Sequence, residues 1–317
     1  MKLLTFRGRG GAAVPGALLP CGLVVDLAAA PLPDQPNPER IVDVLALDER
    51  RTKELRACLD RWDAAPAEGL DRGWLTSGAD LRLLPPTGAN PLFISSGGLY
   101  LSHLAEMGAR PPDRPGGYLV NPNTLIGSGQ PIVLPPAVAD MVDWEGELCL
   151  VFGRDAHALD PESALSHIAG YTLFNDISAR HWVPGTASSE PREAVAAWNW
   201  IVLHKSFPTF GPLGPWIVTR DELPEIEERY LTTTLNGAVM QHDRVGNLAR
   251  PISEIIALFT EIHPFKAGDI LSLGTPAGVG YARSPQQFLQ PGDEIAVTVD
   301  GLGTLTNPVA RKIGEPS

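Results

Sequence analysis

The sequence predicts an α+β fold: a mixed β-roll or barrel-like domain over residues 86–317, preceded by a small N-terminal α/β module over residues 1–85. From "LRLLPPTGANPLFIS" onward the chain is a series of short apolar runs separated by Gly/Pro turns, which is the pattern of strands. These runs do not alternate regularly with helical segments, as a doubly wound parallel sheet would require. The first eighty or so residues differ in character, with a Pro-rich loop followed by a charged, periodic stretch. A chain of 317 residues with 44% apolar content can bury a substantial core.

In the N-terminal module, "KLLTF" and "GLVVDL" read as short strands. "PLPDQPNPER" is a loop, because proline fixes φ and removes backbone donors. "IVDVLALDERRTKELRACLDRWDAA" then spaces Ile41, Val44, Leu45, Leu55, Leu59 and Trp62 near helical period, predicting one or two amphipathic helices. No chemistry clusters here, so the module reads as scaffold or dimer contact. In the larger domain the strand candidates are "PLFIS", "QPIVLP", "GELCLVFG", "AGYTLFN", "GPWIVT", "RYLTTTLNG", "DILSLG" and "EIAVTVDGLGTLTN". A helix is expected at "PISEIIALFTEI", where Ile252, Ile255, Ile256 and Phe259 share one face.

Composition narrows the function. The formal net charge of −12, with no basic cluster to offset it, repels phosphate backbones, so nucleic acid is not an expected partner. "MKLLTFRGRG" carries charges where a signal peptide has its apolar core, and no run is long enough to span a bilayer. A cytoplasmic protein without membrane partners is expected. The three cysteines, Cys21, Cys58 and Cys149, lack metal-ligand spacing and should be free thiols.

The chemistry-bearing feature is "DWEGELCLVFG", which sets Glu145 and Glu147 in an otherwise apolar strand. Residues two apart share a face, with Cα atoms about 6.6–6.8 Å apart. Two readings stand at this point. An edge strand would leave the acids in water; a covered strand would crowd two anions where each is disfavoured without a cation. Asp176 ends the apolar run in "GYTLFNDISAR", and three carboxylates from strand ends can converge on one ion. All-oxygen ligation favours Mg²⁺, Mn²⁺ or Ca²⁺ over zinc. Lys205 can then offset surplus negative charge. In "LYLSHLAEMG", His103 and Glu106 lie three apart, which makes either a surface pair or a dyad in which the carboxylate orients the imidazole. "LGTPAGVG" is glycine-rich without nucleotide-loop spacing; it is a structural turn or a cradle in which Thr275 receives a small carboxylate.

Taken in order, "LYLSHLAEM", "NPNTLIGSGQPIVLP", "DWEGELCLVFG", "GYTLFNDISAR", "KSFPTFGPLGPWIVT", "LNGAVMQ", "GDILSLGTPAGVG" and "PGDEIAVTVDGLGTLTNPV" resemble the fumarylacetoacetate hydrolase family, across most of residues 91–310. The resemblance implies a β-roll catalytic domain, usually in a homodimer, with a divalent ion at its centre. It places the metal ligands at Glu145, Glu147 and Asp176, and Lys205 beside them. It puts His103 and Glu106 on a lid, as catalytic residues with Lys205. Thr275 becomes a substrate contact, with Gln241, Tyr100 and Asn121 as further candidates. The implied cofactor is Mg²⁺, with Mn²⁺ or Ca²⁺ as alternatives, and the implied partner is a small oxo acid or diketone.

From these parts follows an expected reaction: hydrolysis of a C–C bond in an acylpyruvate-like or related β-diketone or 2-oxo acid. Water is activated by His103 and Glu106, and the metal stabilises an enolate. A decarboxylase or isomerase acting on a 2-oxo acid is the alternative on the same scaffold. The chain departs from the family pattern at Asn121, where a Lys is common, at His181, and in "HDRVGN" with Arg244. These departures keep the acidic core while changing the pocket around it.

Overall fold

A computed structural model describes residues 1–33, 36–88, 90–136, 140–182 and 202–311. The N-terminal part holds β1 (Lys2–Arg7), β2 (Ala13–Leu18) and β3 (Leu23–Asp26), then α1 (Ile41–Leu45), α2 (Glu49–Ala64) and α3 (Ala67–Arg72), then β4 (Leu75–Ser77) and β5 (Leu83–Leu84). The periodic stretch splits into two helices because Asp48 starts a new one: its side chain accepts from the Arg51 backbone N–H at 2.8 Å, capping α2. Ile41, Val44, Leu55, Leu59 and Trp62 face inward against Leu3, Val25 and Trp74.

The rest of the chain contributes β6 (Phe93–Gly97), α4 (Leu101–Glu106), β7 (Gly116–Leu119), β8 (Leu125–Ile126), β9 (Ile132–Leu134), β10 (Val142–Asp143) and β11 (Gly146–Phe152). There follow α5 (Pro161–Ala164), β12 (Ile168–Asn175), β13 (Ser178–Ala179), β14 (Gly211–Thr219), β15 (Tyr230–Leu235) and β16 (Ala238–Arg244). The last elements are α6 (Ile252–Ile262), β17 (Ile270–Ser272), β18 (Glu294–Val299) and β19 (Gly303–Arg311). The two strand segments predicted in the N-terminal part and the eight predicted beyond it all form strands. The α6 helix also forms where expected, ending before Pro264, whose ring disfavours helical geometry in the preceding residue.

A 12-stranded sheet runs in the order β4-β3-β2-β1-β14-β12-β11-β17-β6-β7, with β5 paired to β1 and β8 to β14 off this path, and a five-stranded sheet in the order β16-β15-β18-β19-β9. Most neighbours are antiparallel; β17–β6, β14–β8 and β19–β9 are parallel, so the strand-rich fold is mixed as expected. The N-terminal strands join the same large sheet through the β1–β14 pairing. Between the sheets and α6 lies the main core, with Leu148, Leu150 and Phe152 of β11, Ile255, Ile256 and Phe259 of α6, and Val297, Val299 and Leu305. Full burial of such a side chain contributes about 1.5–3 kcal/mol. Cys21, Cys58 and Cys149 are free thiols. No helix among the described residues is long and apolar enough to cross a membrane.

Candidate metal centre

β11 lies between β12 and β17, and all seven of its residues are buried, which rules out the edge-strand reading. Glu145 immediately precedes β11 and Glu147 is its second residue. The register sets Gly146 opposite Asn175, so Asp176, the residue after β12, comes beside Glu145; the Asp176 N–H donates to the Glu145 carbonyl at 2.8 Å. Glu145, Glu147 and Asp176 are 7%, 1% and 2% exposed, and each offers a carboxylate oxygen within 4.8 Å of the others. Gly146 between the two glutamates is required by space: a Cβ there would stand 2.2 Å from Thr233 Oγ1.

Cations and hydroxyls hold this cluster. Lys205 Nζ lies 2.6 Å from both Glu145 Oε2 and Asp176 Oδ2. Arg180 donates to Glu145 Oε1 and, at 2.9 Å, to Asp143 Oδ2. Asp143, fully buried, also accepts the Gly280 and Tyr281 N–H groups at 2.6 and 3.0 Å, tying the glycine-rich loop to the cluster. Ser272 and Ser95 donate to Glu147 Oε2 at 2.5 and 3.2 Å, and the Tyr118 hydroxyl donates to Asp176 Oδ1 at 2.6 Å.

The electrostatics follow. Burial alone would raise the Glu145 carboxyl, but Lys205, Arg180 and then His103 outweigh it and hold it below the usual range. Burial pushes Glu147 well up, reinforced by Asp176. Asp176 is also raised by burial, against the opposing charge of Lys205. Among the described residues, four buried carboxyl groups, Asp143, Glu145, Glu147 and Asp176, thus face two cations, Arg180 and Lys205, leaving a formal surplus of two negative charges. A convergent set of carboxylate oxygens with that surplus fits a hard divalent ion such as Mg²⁺ or Mn²⁺.

"LYLSHLAEM" forms a short helix, α4, closed by Gly108 at φ 64°. His103 Nδ1 meets Glu106 Oε1 at 2.6 Å, and Glu106 Oε2 accepts the Gly278 N–H at 2.9 Å, so the helix is tied to the glycine-rich loop. Thr275 donates to the Gly146 carbonyl at 2.9 Å. Gln241 accepts the Gly146 N–H at 3.0 Å and commits its amide hydrogens to Thr275 Oγ1 at 2.7 Å and the Pro276 carbonyl at 2.8 Å. Gln241 therefore braces the loop against the start of β11. Tyr100 is 1% exposed, and its hydroxyl has no partner among the described residues. Burial, then the charges of Asp243 and Glu147, raise that hydroxyl's pKa. Asn121 is exposed and caps its own turn, accepting the Asn123 N–H at 3.0 Å.

Arg180, Tyr118, Ser95, Ser272 and Asp143 were not singled out from the sequence. Asp143 continues the alternate acidic spacing of Glu145 and Glu147, Arg180 falls four residues after Asp176, and Ser272 is a polar break in an apolar strand. Ser95 and Tyr118 carry no such local signal, because they come from β6 and β7, neither of which pairs with β12.

Residues 93–310 match the family described as fumarylacetoacetate (FAA) hydrolase C-terminal. The protein Rv2993c of Mycobacterium tuberculosis is 39% identical over 239 residues, which is 75% of this chain and 82% of that one. A fumarylacetoacetate hydrolase from the psychrophile Exiguobacterium antarcticum superposes with a TM-score of 0.76 at 27% identity, covering 98% of this chain and all of the other. A 5-carboxymethyl-2-hydroxymuconate delta-isomerase from Mycobacterium smegmatis superposes with a TM-score of 0.69 at 29% identity, covering 99% of this chain and all of the other.

Proposed function

This chain belongs to the fumarylacetoacetate hydrolase family, and we propose that it is a divalent-metal-dependent hydrolase of a C–C bond in an acylpyruvate-like or related β-diketone or 2-oxo acid. The observation that carries the reading is the joint presence of the buried carboxylate cluster and the His103–Glu106 pair. Glu145, Glu147 and Asp176 would hold the ion, which supplies Lewis-acid stabilisation of negative charge developing on substrate oxygens.

The chain's own residues do the rest. With Glu106 on Nδ1, His103 presents Nε2 as the base that takes a proton from water. The resulting hydroxide adds to the carbonyl distal to the 2-oxo acid, and the adjoining C–C bond breaks. The carbonyl fragment leaves as a carboxylic acid and the other fragment takes up a proton at carbon. Lys205, whose ammonium form is favoured by Asp176 and Glu145 against its burial, is assigned to set positive charge near the oxygen on the adjoining carbon and to supply the proton taken up at carbon. Thr275 and Tyr100 are assigned substrate contacts, and the working unit is a homodimer.

The resemblance to a solved isomerase supports a second reading, in which the same site tautomerises or decarboxylates a 2-oxo acid. Acylpyruvates and oxaloacetate, turned over in ¹⁸O-labelled water with Mg²⁺ or Mn²⁺, separate the two by mass spectrometry. Hydrolysis puts one ¹⁸O from water into the newly formed carboxyl group. CO₂ release or a shifted double bond without cleavage would overturn the hydrolase reading.

A further inference from the structure

β6 and β7 are neighbours in the large sheet, and their register sets Ser95 opposite Tyr118. Both hydroxyls reach one carboxylate. Tyr118 donates to Asp176 Oδ1 at 2.6 Å, and Ser95 donates to Oδ2 at 3.2 Å. Oδ2 shares Lys205 with Glu145 and shares Ser95 with Glu147, so it is the oxygen turned toward the other two carboxylates. Oδ1 is the oxygen that Tyr118 holds.

The two glutamates are held in a similar way. Arg180 takes Glu145 Oε1, and Ser272 takes Glu147 Oε2. Each acid of the cluster thus has an oxygen held by a donor other than Lys205, which bridges the second oxygens of Glu145 and Asp176. That matters because Ca²⁺ takes 6–8 oxygens and often draws both from one carboxylate, whereas Mg²⁺ demands a compact octahedron with one oxygen from each. Octahedral all-oxygen sites likewise suit Mn²⁺.

We infer that Tyr118 is a positioning residue that confines Asp176 to one-oxygen ligation and so makes the site favour Mg²⁺ or Mn²⁺ over Ca²⁺. The inference rests on the metal-dependent reading of the carboxylate cluster. Phenylalanine is the informative replacement. The Tyr118 ring also lies under the Lys205 ammonium, 5.6 Å from Nζ to the ring centroid, and Tyr118→Phe keeps that ring while removing the hydroxyl alone.

The test is calorimetric titration of the full chain with Mn²⁺ and with Ca²⁺, separately, for wild type and Tyr118→Phe. Wild type should prefer Mn²⁺. The variant should bind Mn²⁺ about 10–100-fold more weakly, the range seen when a group supporting a metal ligand is removed, while Ca²⁺ affinity falls less. An unchanged Mn²⁺ affinity and an unchanged Mn²⁺/Ca²⁺ ratio in a folded variant would overturn the role of Tyr118 and leave the metal site standing. A wild type that binds neither ion would overturn both together. Should Tyr118→Phe fail to fold, X-ray absorption on Mn²⁺-loaded wild type decides the matter. A six-oxygen shell without a chelating carboxylate supports the inference, and a chelating carboxylate overturns it.

Discussion

Among single residues, some are assigned a part in the chemistry and others only hold their neighbours in place. His103 and Glu106 are bonded to each other at 2.6 Å and belong to the first group. His103→Ala should lower turnover by about 10²–10⁴-fold, the usual worth of a positioned acid or base, while Mn²⁺ binding by calorimetry stays as in wild type. Unchanged turnover would remove His103 from the mechanism. Gly146 belongs to the second group. Gly146→Ala would push a methyl to within 2.2 Å of Thr233 Oγ1, next to both glutamates. Overpacking of this kind costs about 1–3 kcal/mol, so urea unfolding should show a lower midpoint with an unchanged slope. A variant as stable as wild type would mean that β15 yields easily. The Glu145–Glu147 and His103–Glu106 pairs were legible in the sequence because spacing in strand and helix puts the members of each pair side by side. The glycine was not, because its partner Thr233 comes from β15.

At the scale of elements, most strands and helices were readable from local pattern, since apolar alternation and Gly/Pro punctuation act over a few residues. The split of the first helical stretch depended on one residue: Asp48 caps α2 through the Arg51 N–H. Asp48→Ala should therefore cost about 1 kcal/mol in chemical denaturation, and no measurable loss would show that tertiary contacts hold α2 without its cap. What local pattern could not supply was the neighbour of each strand. The choice between a solvated and a covered acidic strand was settled by β12 and β17 flanking β11, which are contacts between distant parts of the chain. The same holds for α4, whose attachment to the glycine-rich loop runs through Glu106 and Gly278.

At the scale of the whole molecule, one large sheet joins the N-terminal strands to the strands that carry the acids, with β1 paired to β14 and β14 to β12. The centre is thus assembled from the ends of β11 and β12, the loop around Lys205, and hydroxyls from β6, β7 and β17. An ion bound there favours the folded state over any state in which these ends separate. At a free concentration 100 times its Kd it should add about 2.7 kcal/mol to stability. The central claim is that Glu145, Glu147 and Asp176 form one divalent-ion site. It is tested most directly by calorimetric titration of Mn²⁺ into wild type and Glu147→Gln, a replacement of the same shape that removes a ligand charge. The account predicts one ion per wild-type chain and no measurable binding to the folded variant; equal binding by the two proteins, or none by wild type, would contradict it.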